Sequence, residues 1–99
     1  MDCKNEELQL YPRSWHSGDT LPVLAGVFDY DITGYVIEGE FTRPDDTVVT
    51  KTAALSVPYI FVFNWDDTDL IEGTTILNIK VHNGPNVETI GPIGIKVLP

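Results

Sequence analysis

Nucleophilic catalysis needs a Ser or Cys beside a His base that an acid orients. The chain offers two histidines, His16 and His82, and one cysteine, Cys3. His16 falls in the turn-rich stretch Trp15-His16-Ser17-Gly18-Asp19, His82 ends a strand pattern, and Cys3 lies at the terminus, so no triad can be composed. Zinc draws on several Cys or His ligands, which leaves only oxygen donors for a hard cation. Asp29 with Asp31, Asp45 with Asp46, and Asp66, Asp67 and Asp69 supply oxygens, yet none forms a loop of alternating ligands closed by a bidentate Glu. Each stands where turns and helix caps favour Asp. Glu38 and Glu40, a pair of the type that cleaves glycosides, lie side by side on one outward strand face with no cleft. The glycines are scattered singly, unlike a phosphate-cradling loop. These residues lead us to expect a non-enzyme with no cofactor and no metal site. Binding is better served: Trp15, Tyr30 and Tyr11, at loops or edges, present rings that could stack on a sugar or enter a protein interface.

Those side chains sit on elements that repeat every two residues and break every 8 to 12, the rhythm of an antiparallel sandwich. Leu8 to Tyr11 reads as a first strand closed by Pro12. Thr20 to Phe28 reads as the second, with Pro22 at an edge or strand start, where a missing donor is tolerated. Tyr35 to Thr42 alternates cleanly, with Tyr35, Ile37, Gly39 and Phe41 inward and Glu38, Glu40 and Thr42 outward. Pro44-Asp45-Asp46 makes a tight turn, and Thr47 to Ala53 returns as the partner. Tyr59 to Trp65 puts Tyr59, Phe61, Phe63 and Trp65 on one face. The run Asp66 to Gly73 begins like a helix and ends on glycine, so one turn of α- or 3₁₀-helix is expected there, with Leu70 plugging the core. Thr74 to His82, with Leu77, Ile79 and Val81 inward, and Val87 to Val97 close a hairpin through Asn83-Gly84-Pro85-Asn86. Gly91-Pro92 marks a bulge in the last strand, after which Ile93, Ile95 and Val97 resume the inward alternation. The fold expected is all-β, an immunoglobulin-like antiparallel sandwich of about seven strands over residues 8–99, preceded by a flexible arm at residues 1–7.

At 99 residues the chain can bury one core. A single cysteine excludes an intrachain disulfide. Fifteen acidic against six basic residues give a formal charge of −9, the wrong sign for phosphates, so neither nucleic acid nor membrane is an expected partner. The first residues lack the basic-then-apolar layout of a signal peptide, and no stretch is apolar enough to span a bilayer, which points to folding in a cytoplasm.

Several short runs recur in a telling order: Gly18-Asp19-Thr20, Asp31-Ile32-Thr33-Gly34, Arg43-Pro44-Asp45-Asp46, Asp69-Leu70-Ile71-Glu72-Gly73-Thr74, Ile79-Lys80-Val81-His82-Asn83-Gly84, and Gly91-Pro92-Ile93-Gly94-Ile95-Lys96-Val97. Together they resemble the amino-terminal immunoglobulin-like domain of phage baseplate upper proteins across roughly residues 8 to 97. The family's hairpin carries glycine where Asp46 stands, a place a type I turn accepts. The stalk that follows the family's domain has no counterpart in these residues, so attachment is the role the resemblance carries over. It implies a stand-alone virion protein of the tail, baseplate or fibre region, or a capsid decoration protein, made in the host cytoplasm and docked symmetrically on other virion proteins. Trp15, His16, Asp19, Tyr30 and Asp31 are the candidate contact residues. Two alternatives compete: a carbohydrate-binding module for host attachment with a glycan partner, and an acidic mimic of nucleic acid that blocks a basic groove.

Overall fold

Alternation of apolar and polar residues sets the strands, and the faces it defines are met by a second sheet. A computed structural model describes residues 8–12 and 14–99; the expected arm at residues 1–7 lies outside them. The strands are β1 (Leu8–Tyr11), β2 (Ser14–His16), β3 (Leu24–Phe28), β4 (Val36–Thr42), β5 (Val48–Thr52), β6 (Ala54–Ser56), β7 (Ile60–Phe63), β8 (Gly73–Asn83) and β9 (Asn86–Leu98). They form a four-stranded sheet in the order β1-β3-β7-β6 and a five-stranded sheet in the order β2-β9-β8-β4-β5. The class is all-β and sandwich-like. Phe41 of the larger sheet meets Phe63 of the smaller edge-to-face at 5.3 Å, and Phe63 in turn meets Phe61 at 5.6 Å. Such edge-to-face pairs add to the area they bury.

The expected inward faces hold at most positions. Ile37, Phe41, Phe61, Phe63, Trp65, Leu70, Leu77, Ile79, Val81, Ile95 and Val97 are buried, and Tyr35 is half-buried against them. Tyr59 departs from expectation. It is 48% exposed because it belongs to the turn before β7, where its carbonyl accepts from Phe28 N at 2.9 Å, and the alternation starts only at Ile60.

Three expectations about elements are corrected. First, among the described residues there are nine strands where about seven were expected. The stretch around Trp15, read as a loop, forms β2, and β2 runs parallel to the end of β9, with Trp15 opposite Val97, so the sandwich is not wholly antiparallel. The return strand expected to run to Ala53 ends at Thr52. Ala53 N, bonded to Ile37 O at 2.8 Å, marks the crossing to the smaller sheet, where β6 pairs with β7. Second, among the described residues no helix forms. Asp66 to Asp69 closes a single turn, with Asp69 N donating to Asp66 O at 3.0 Å. The Asp69 carboxylate is drawn back to Asp66 N at 2.6 Å and to Lys51 Nζ at 2.7 Å. One turn gains too few bonds to offset helix nucleation, and Asp competes for backbone donors. Third, the hairpin at Arg43-Pro44-Asp45-Asp46 is not a plain type I turn. Asp46 N donates to Arg43 O at 2.8 Å and Arg43 N to Thr47 O at 2.8 Å, while Asp46 has a φ of 70°. This is a type I turn followed by a left-handed residue, which explains why glycine suits that place.

The bulge expected at Gly91-Pro92 is present. Leu77 faces Ile93 and Ile79 faces Ile90, so both residues of the dipeptide stand opposite Asn78.

Candidate docking surface

β3 separates the candidate contact residues. Trp15, His16 and Asp19 lie before its start and Tyr30 and Asp31 after its end, so they sit at opposite ends of the sandwich and form no common site.

Trp15 is not available for surface contact. It is 2% exposed, packed edge-to-face on Trp65 at 5.8 Å. Its Nε1 donates to Pro22 O at 2.9 Å, and Trp65 Nε1 donates to the same carbonyl at 3.0 Å. One oxygen thus satisfies both buried indoles, the use to which Pro22 is put. A sugar cannot stack on Trp15 in this arrangement. His16 is exposed at the end of β2, and Asp19, also exposed, closes the turn by donating its N–H to His16 O at 3.2 Å.

At the other end Tyr30 is half-buried, 5.0 Å from Phe28 and 6.4 Å from Tyr35. Asp31 is exposed, and its Oδ1 accepts from Thr33 Oγ1 at 2.5 Å and from Thr33 N at 2.8 Å. The hydroxyl first, then the amide, hold its carboxyl below the ordinary aspartate range. Asp45 repeats the device. Thr47 Oγ1 donates to it at 2.6 Å and Thr47 N at 3.1 Å, lowering its pKa in the same order of causes, with Arg43 assisting. Arg43 Nε donates to Thr47 Oγ1 at 2.7 Å, and its Nη1 ties the hairpin to Thr68 O at 2.7 Å. These aspartates shape turns. Among the described residues no three His, Cys, Asp or Glu side chains converge as a metal site.

The fold brings to one end exposed apolar residues that residue types alone did not single out. Val36 opposes His82 and His82 opposes Val87, so the three cross the outer face of the larger sheet. Val36 is 48% and Val87 56% exposed, and His82 Nε2 lies 3.1 Å from Glu38 Oε1. At the same end of the sandwich, on the smaller sheet, the turn into β7 carries the exposed Val57, Tyr59 and Ile60, and Pro58 O accepts from Ile32 N at 2.7 Å, fixing that turn to the loop after β3. The other exposed large apolar residues, Tyr11, Leu21 and Val48, lie toward the opposite end, at the start of β3 and in the β4–β5 hairpin. Outward parity beside Ile37 was the available sign for Val36; Tyr59 gave none.

The opposite end is acidic. Asp19, Asp45, Asp46, Asp66, Asp67, Asp69 and Glu72 all occupy the loops entering β3, joining β4 to β5 and joining β7 to β8. Gly18 N bonds Leu70 O at 3.2 Å, which holds two of these loops together.

No protein-family model, curated protein or solved structure matches the chain.

Proposed function

We propose that this chain is a non-enzymatic, immunoglobulin-like docking module of a phage virion, seated on other virion proteins in the tail, baseplate or fibre region or on the capsid. The strand order supports the fold half of the reading. β1-β3-β7-β6 follows the ABED sheet of an immunoglobulin sandwich, and β9-β8-β4 follows GFC, with β2 and β5 added at its flanks. The resemblance to the baseplate upper domain supports the phage half. The observation that carries docking is the uneven distribution of exposed side chains: Val36, Val57, Tyr59, Ile60 and Val87, five of the eight exposed large apolar residues described, lie at one end, while seven carboxylates lie at the other. An apolar end suits burial against a partner, and an acidic end keeps free subunits apart before assembly. Mass spectrometry of purified particles from the encoding phage tests this. Stoichiometric copies are expected; particles without the protein would refute it.

A second reading, the acidic mimic of nucleic acid, gains from the same gathering of carboxylates. Against it, Asp45 and Asp69 are already bonded within the fold. A mimic would compete with duplex DNA for a basic groove, which a displacement assay measures.

A further inference from the structure

The larger sheet ends on a strand that is only partly covered. β2 pairs with β9 at Lys96, Val97 and Leu98 alone, and Ser17 N continues that edge onto Leu98 O at 2.7 Å. Along residues 86–95, among the described residues, no strand lies on the side of β9 that faces away from β8. An open edge presents a row of unpaired backbone donors and acceptors. The bulge at Gly91-Pro92 interrupts the row, and Pro92 brings no N–H, which leaves residues 86–90 as its regular part. That part includes Val87, at the apolar end, so the inference rests on the docking reading above.

We propose that the edge of β9 at residues 86–90 accepts an extended segment of a basic partner protein, which adds to the five-stranded sheet as a further strand. Charge decides the occupant. A second copy would bring another −9, whereas a basic segment is attracted by the whole molecule. Glu88 opposes the inward Val81 and Ile90 the inward Ile79, so Glu88 and Ile90 share one side of the strand. Glu88 is exposed there and Ile90 half-buried. An added strand would therefore set a Lys or Arg beside Glu88 and, two residues away, an apolar side chain beside Ile90.

The test is amide hydrogen exchange by NMR on the full chain, with the peptide Thr-Lys-Thr-Val-Thr-Lys-Thr-Val-Thr as probe and its Glu-for-Lys counterpart as control, each up to about 1 mM. With the Lys peptide, alternate amides within residues 87–90 should exchange at least about tenfold more slowly, a loss of opening worth about 1.4 kcal/mol. Residues 48–52 on the other edge should be unchanged. Thr89→Pro should abolish the effect, and Glu88→Lys, which leaves the backbone intact, should transfer the preference to the Glu peptide. Four results overturn the proposal: no slowing, equal slowing by both peptides, slowing centred on the acidic loops, or slowing without peptide that grows with protein concentration, which would make the occupant a second copy. None of these bears on whether purified particles contain the protein.

Discussion

Asp46 holds a left-handed φ of 70°, a conformation that costs an L residue roughly 1–2 kcal/mol, less for Asp than for most. Glycine removes that cost but gives the unfolded chain more freedom, a loss of about 0.4–1 kcal/mol. The balance favours Asp46→Gly by about 0.5 kcal/mol, readable as a higher denaturant midpoint. Thr75 poses the opposite problem. It is buried, and among the described residues its Oγ1 has no partner. An unpaired buried hydroxyl costs about 1–3 kcal/mol, so Thr75→Val should stabilise by about 1 kcal/mol in the same assay; a loss would reveal a hidden partner for the hydroxyl. At Asp31 the Thr33 hydroxyl is the largest cause of the lowered pKa. A carboxyl that titrates lower when folded contributes stability above its unfolded pKa and loses it as pH falls through the lowered folded value. Thr33→Val should move the Asp31 titration, followed by carboxyl carbon NMR, back up toward the ordinary aspartate value.

Elements were legible where alternation was long. β4 and β8 place Ile37, Phe41, Leu77, Ile79 and Val81 inward as their parity requires, because a one-residue slip would expose the whole set. β2 and β6 were not legible. Three residues are too few to show a period, and what buries Trp15 is a partner on β7's continuation, Trp65, and a carbonyl seven residues on, Pro22. The helical turn failed for a related reason: the Asp69 carboxylate answers to Lys51, eighteen positions away on β5, which no local pattern records. The candidate site was legible in part, since Asp31 and Asp45 serve the turns their type suggested, while the apolar end needed the pairing of β4, β8 and β9. Two packing arguments test the elements. Gly26 on β3 faces the Phe61 ring so closely that an added Cβ would collide with it, so Gly26→Ala should destabilise by about 1–3 kcal/mol. Trp15→Phe removes one indole donor and part of its ring, and should cost about 2–3 kcal/mol; both are read from thermal melts.

At the scale of the whole molecule the two ends differ in what they expose. The acidic loops are braced by Arg43 on Thr68 and Lys51 on Asp69, so their charge is carried on ordered backbone. The apolar end is braced by Ile32 on Pro58, and its exposed side chains take no part in that bracing. Tyr59 and Val87 can thus be changed without touching the core, and surface substitutions of this type alter stability by less than about 0.5 kcal/mol. Docking through this end is most directly tested by growing phage that supply the double variant Tyr59→Lys, Val87→Lys in place of the natural chain and counting copies per purified particle by mass spectrometry. Docking predicts an unchanged melting temperature for the isolated variant and at least about a tenfold fall in copies, the measure of about 1.4 kcal/mol lost at the interface. A stably folded variant incorporated at the natural copy number would contradict it.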